Sequence, residues 1–205
     1  YAGLSCICPE LPFEVKLIEL EPQDTIDIGV FHINCLKVNH KITCYAYNVQ
    51  VKRVGRFDVQ KANALNIPKK LWSILQKQQS VEFEGKTYTS DMVLGSPRKG
   101  IKVSYCTDTR PTKELPAFVE NSDLLICEGM YGEKDKIQKA KEYKHMMFTE
   151  AAEIAKKANV NEMWLTHFSP AMPFPEEFLP SAKEIFENTH IGKDRKNVTL
   201  LFEED

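Results

Sequence analysis

The chain has 205 residues, 42% of them apolar and 27% charged, and a net charge of −2. That length supports one domain with a sizeable core, because single cores stop growing near ~250 residues, and the composition excludes a disordered chain. No apolar run approaches the ~18 residues of a spanning helix and the first residues lack a signal peptide's basic start, so the expectation is a cytoplasmic protein with no membrane partner. Apolar or alternating runs predict a front block of strands over residues 14–20, 29–38 and 43–51. The stretch "RFDVQKANALNIPKKLWSILQKQQ" interrupts them: Asp58 caps a short helix and Pro68 starts a second, which reads as a protruding insertion over residues 52–80. Another strand is expected over 81–89, then the Gly/Pro punctuation of "LGSPRKG" and an apolar run over 101–106. From Asp108 onward the patterns alternate: strand 124–127, helix 147–158, strand 163–166, helix 175–187, strand 198–202. This order predicts one layered α/β domain.

Cys35, Cys44, Cys106 and Cys127 sit in strand-like apolar runs and read as small buried hydrophobes. Cys6 and Cys8 form a C-x-C pair that could bind a soft metal, but no second pair stands at zinc-finger spacing. Charge is unevenly placed, with seven basic residues between Lys52 and Lys77 (Lys52, Arg53, Arg56, Lys61, Lys69, Lys70, Lys77) against the single acid Asp58. Phe57 and Trp72 lie among them, so the segment is either a phosphate-neutralising, base-stacking surface or a solvated arm whose aromatics pack inward.

Several apolar runs end on an acid or a histidine. Asp108 follows "IKVSYCT", His167 ends "EMWLTH" and His40 ends "INCLKVNH". A carboxylate at a strand end can bridge two cations or cap a turn, and an imidazole there can reach a metal or simply pack on the sheet. His145 precedes the helical face of Phe148, Ala151, Ala152 and Ile154, while Glu128 ends the run "LLICE". If the two meet, the carboxylate would orient the ring, raise its pKa and make it a candidate general acid.

The segments "YCTDTRPTKELPAF", "LLICEGMY", "KHMMFTEAAEIAKKANVNEMWLTHFSP", "GKDRKNVTLLFEE" and "GRFDVQKANALNIPK" resemble the ribonuclease Z family of the metallo-β-lactamase superfamily, with likeness over essentially the whole chain. The resemblance implies part of an αββα sandwich with a protruding helical exosite arm, and an endoribonuclease that removes the 3′ trailer of precursor tRNA by two-zinc phosphodiester hydrolysis. His40 and His167 would each ligate one zinc and Asp108 would bridge the two, with His145 donating a proton to the leaving ribose oxygen, held by Glu128. Arg110, Ser169, Arg53, Arg56, Lys61, Lys69 and Lys70 would contact the RNA, and the enzyme would be a homodimer.

The family's H-x-H-x-D-H cluster is absent from these 205 residues. The expectation is therefore a carboxyl-terminal portion that binds zinc poorly and is inactive as a separate chain. Smaller departures are "IPKKLW" in place of a Gly-Pro pair in the arm, Thr107 in place of a glycine, and Ala171 in place of an arginine. The alternatives are a non-catalytic RNA-binding or dimerising remnant, or another phosphodiesterase of the superfamily.

Overall fold

The structure, a computed structural model, describes residues 13–16, 18–21 and 24–203. A seven-stranded mixed sheet has the spatial order β1 (Thr25–Ile28), β2 (Phe31–Lys37), β3 (Tyr45–Arg53), β6 (Arg98–Cys106), β7 (Leu124–Glu128), β8 (Glu162–Thr166), β9 (Thr189–Ile191). The first four pair antiparallel and the last four parallel. Because β3 runs against β6, the β2–β3 turn and the carboxyl ends of β6, β7 and β8 all emerge on the same rim.

One face of the sheet carries the main core, in which Ala46, Cys106, Leu125, Cys127, Met163 and Leu165 meet helices α3 (Leu115–Phe118), α5 (Phe148–Lys157) and α6 (Leu179–Lys183). Helix α5 follows from its apolar spacing: Phe148, Ala151, Ala152 and Ala155 recur on one face and are fully buried. Glu150 starts it, its Oε2 accepting the Met147 N–H at 2.9 Å. Helix α4 (Ile137–Tyr143) precedes it and ends at Lys144 in the left-handed region, φ 60°. The opposite sheet face, with Tyr47, Val49, Val51, Ile101, Val103 and Ile126, is only half-buried.

A second, smaller core lies outside the sheet. Ala62, Ile67, Leu71, Leu75, Val93 and Leu94 are its buried centre, drawn from α1 (Val59–Ala64), α2 (Lys69–Leu75) and the segment beyond the hairpin of β4 (Ser80–Phe83) and β5 (Lys86–Thr89). Asp58 caps α1 by accepting the Lys61 N–H at 2.9 Å, and Pro68 precedes α2, both as the sequence implied. The unit joins the sheet where Gly55 and Gly95 cross: a Cβ on Gly55 would lie 2.1 Å from the Gly95 carbonyl oxygen, so only glycine fits.

Four expectations change. Residues 81–89 form a hairpin rather than one strand, because Glu84 and Gly85 both take positive φ (51° and 71°) and close a two-residue turn. The described residues of 14–20 pair with no strand. Helix 175–187 shrinks to a 3₁₀ turn (Pro175–Phe178) and α6, which starts at Leu179 with Pro180 in its first turn, the one place in a helix suited to proline. Residues 198–202 run across the half-buried sheet face instead of along an edge: Lys196 sits over Trp164 of β8, and Phe202 under Arg53 of β3. Strands β1 and β9 and helix α4 were not expected, being short and flanked by polar residues. The described cysteines are free thiols and Cys6 and Cys8 lie outside the described residues.

Candidate active site

The rim where β6, β7 and β8 end holds most of the side chains singled out from the sequence. Asp108 leaves β6 with φ 52° and His167 leaves β8 with φ 60°. Left-handed backbone in non-glycine residues costs on the order of 1–3 kcal/mol and collects at functional sites, and Asp and His tolerate it better than most. The positive φ falls on Asp108 and not on Thr107, so a threonine at 107 strains nothing; its Oγ1 lies 3.4 Å from Asp108 Oδ2. His167 Nε2 stands 3.0 Å from Asp108 Oδ1.

His40 reaches the same place from the β2–β3 turn. That turn is tied to the Asp108 loop, since the Asn39 N–H donates to Thr109 Oγ1 and the Arg110 N–H to the Asn39 carbonyl, both at 3.0 Å. His40 Nδ1 is 3.2 Å from the Lys144 carbonyl, an acceptor that fixes the tautomer and leaves Nε2 with a free lone pair. The rings of His40 and His145 have centroids 5.1 Å apart, and those of His145 and His167 5.3 Å.

Glu128, at the end of β7, is fully buried beneath this cluster. It accepts the Thr109 N–H at 2.5 Å and the Met146 N–H at 3.0 Å, and its Oε2 lies 3.1 Å from His145 Nδ1. Burial pushes its carboxyl up to about 7, against the pull of the two backbone N–H groups and of His167. The His145 pKa is lowered, by burial first and then by the neighbouring His40, with Asp108 opposing. The direction is the reverse of the rise expected from a Glu–His pair, because desolvation outweighs the nearby carboxylate.

One ligand atom each from His40, Asp108 and His145 lies within 4.8 Å of the others, a donor set suited to zinc or another borderline divalent ion. The 3.0 Å gap between His167 and Asp108 is near the roughly 3.3 Å edge of a tetrahedron with ~2.0 Å bonds, so these two also fit as co-ligands. The described residues thus offer donor atoms spaced as a divalent ion would need them. His145 belongs to the compact triad by distance, yet its Nδ1 is already committed to Glu128.

The remaining candidates are placed differently. Arg110 turns its guanidinium away from the cluster onto Glu150 and the His145 carbonyl. Ser169 lies in the turn after His167, its Oγ 3.3 Å from the Ala171 N–H. Lys61 Nζ donates to the carbonyls of Asp91 and Leu94 inside the small unit, and Lys70 Nζ sits over the Phe83 ring. Phe57 and Trp72 stack on each other at 5.1 Å and pack on that unit's core, so the inward-packing alternative holds for the aromatics. Lys69 and Arg56 are exposed, and Arg53 donates to the Glu203 carbonyl. Sequence reading missed Lys144, Thr109 and Glu150; only Glu150, three residues after a helix start, had a legible signal.

A rim of strand-end carboxylates and histidines on a mixed α/β sheet is that of the metallo-β-lactamase fold, and residues 76–168 match the family model described as Beta-lactamase superfamily domain. The chain is 55% identical to ribonuclease Z of Agathobacter rectalis over 204 residues (99% of this chain, 67% of that one) and 51% identical to ribonuclease Z of Lachnoclostridium phytofermentans over 205 residues (100% and 67%). It belongs to the ribonuclease Z family, a family of hydrolytic endoribonucleases. Among solved structures, the metallo-β-lactamase fold protein YhfI from Bacillus subtilis aligns with a TM-score of 0.56 at 24% identity (87% of this chain, 53% of that one). The short form of human tRNase Z aligns with a TM-score of 0.50 at 16% identity (88% and 48%), and both likenesses concern the fold. No helix among the described residues is long and apolar enough to cross a membrane.

Proposed function

We propose that this chain carries the proton donor and part of the zinc centre of an endoribonuclease that removes the 3′ trailer from precursor tRNA. The observation that carries the reading is the convergence of His40, Asp108, His145 and His167 above the buried Glu128, in a chain more than half identical to a ribonuclease Z. His40, His167 and Asp108 would hold zinc, which when bound lowers the pKa of the attacking water and offsets charge building on the phosphoryl oxygens. His145 faces the cluster with Nδ1 anchored on Glu128, leaving Nε2 to hand a proton to the departing ribose oxygen as the P–O bond breaks. Lys69, Lys70, Arg56 and Arg53 would contribute positive charge to tRNA binding, with Ser169 beside the scissile phosphate. A homodimer in the cytoplasm fits the family resemblance. His40, Asp108 and His167 are too few for two zinc ions of three or more protein ligands each, even with Asp108 shared, so these residues alone would hold metal weakly and support little turnover.

The test is cleavage of a precursor tRNA by the family-length, zinc-loaded protein. His145→Ala should slow the chemical step by about 10²–10⁴, and undiminished cleavage would remove the proposed donor. Lys69→Glu/Lys70→Glu should weaken tRNA binding and flatten its salt dependence by up to about two phosphate contacts. Unchanged binding would discard these lysines as RNA contacts.

A further inference from the structure

We propose that Arg110 and Glu150 are a positioning pair that holds His145 in line with the Asp108 loop, and that Arg110 serves the reaction through His145 rather than by gripping RNA. The inference rests on the reading of His145 as proton donor. Arg110 Nη1 donates at 2.6 Å both to Glu150 Oε2 and to the His145 carbonyl, while Nη2 donates to Glu150 Oε1. The same Glu150 Oε2 accepts the Met147 N–H at 2.9 Å, fixing the start of α5. Arg110 therefore grips the backbone of His145 on one side and the helix that follows it on the other.

Its own main chain closes the ring. The Arg110 N–H donates to the Asn39 carbonyl at 3.0 Å, next to His40, and Arg110 lies two residues beyond Asp108. Segments from distant parts of the sequence thus meet at one residue: its planar fork ties the His145 carbonyl to Glu150, a geometry that a lysine's point charge cannot reproduce, and its main-chain N–H ties on the Asn39 turn. The pair is well shielded, with side chains 15% and 20% exposed, so its bidentate bond is weakly screened and geometrically selective. Three of the five guanidinium N–H groups, including both on Nη1, are thereby spent inside the protein rather than on a bound phosphate.

The experiment compares Arg110→Ala, Arg110→Lys, Glu150→Gln and His145→Ala in the family-length, zinc-loaded protein on two substrates. One is a precursor RNA, whose ribose oxygen must be protonated as it leaves; the other is a p-nitrophenyl phosphodiester, whose leaving group needs no proton. Arg110→Ala should lower kcat on RNA by about 10–10², a share of what a general acid contributes, with KM within about twofold and a loss at least tenfold smaller on the p-nitrophenyl ester. Arg110→Lys should recover part of the RNA rate, Glu150→Gln should show the same leaving-group selectivity, and Arg110→Ala/His145→Ala should be no slower than His145→Ala alone. Equal losses on both substrates, a raised KM at constant kcat, or losses that multiply with His145→Ala would each overturn the positioning role. Should Arg110→Ala fail to fold, Glu150→Gln, which keeps volume and an acceptor for Met147, decides by the same comparison. If His145→Ala itself loses both activities alike, the proton-donor reading fails, which is a different outcome from the failure of Arg110.

Discussion

Replacing Glu128 by glutamine keeps the volume of the side chain and removes one acceptor; it also relieves the burial penalty that raises this carboxyl to about 7, so the hydrogen-bonding cost is read below pH 7, where little of that charge is present. In the wild type the carboxylate takes the Thr109 N–H, the Met146 N–H and His145 Nδ1 with no exposure to water. The glutamine oxygen can keep Thr109, but its NH₂ then faces the Met146 N–H, donor against donor. One orphaned buried donor costs about 1–3 kcal/mol, and at about 2–4 °C per kcal/mol for a chain of this size the melting temperature should fall by roughly 2–12 °C. Glu128→Ala orphans both backbone donors and opens a cavity as well, so it should fall further. Thermal unfolding read by circular dichroism measures the shift, and amide exchange should show protection lost at Met146 before Thr109. A Glu128→Gln protein with the wild-type melting temperature and full Met146 protection would refute the claim that this carboxylate braces the loop ahead of α5.

Asp58→Ala removes the cap of α1 and should destabilise the small unit by about 1 kcal/mol, seen as faster exchange at the Lys61 amide. Gly55→Ala cannot fit its Cβ 2.1 Å from the Gly95 oxygen, so the root of that unit must open, and Trp72 fluorescence, read in a Trp164→Phe background, should report the disturbance. Burial holds the Lys102 ammonium below its usual 10.5, with Nζ donating to the Phe118 and Glu120 carbonyls at 2.8 and 2.9 Å. Between its folded and unfolded pKa the unfolded chain binds more protons, so stability should rise with pH through the window just below 10.5. The difference between wild-type and Lys102→Met urea midpoints should show that rise; a pH-independent difference would contradict it.

Periodicity and strand-end chemistry pointed to most of the candidate cluster. Asp108, Glu128 and His167 were legible because each terminates an apolar run, and β6, β7 and β8 being parallel neighbours puts such termini on one rim. Asp58 and Pro68 marked their helices because capping is a contact between residues three apart in the chain. Strand 198–202 went wrong for the opposite reason: alternation says that one side is apolar, and the face of β3 and β8 supplies that as well as a strand edge would.

What tertiary structure alone decided are contacts between loops far apart in sequence. His40 meets Lys144 across 104 residues, and Arg110 meets Glu150 across 40. A histidine's pKa direction was likewise beyond the sequence, since burial and the approach of His40 outweigh the carboxylate beside it. Local order is written in side-chain spacing because it is set by neighbours a few bonds away, whereas the orientation of a reacting group is set by whichever backbone donors and charges the fold happens to bring around it.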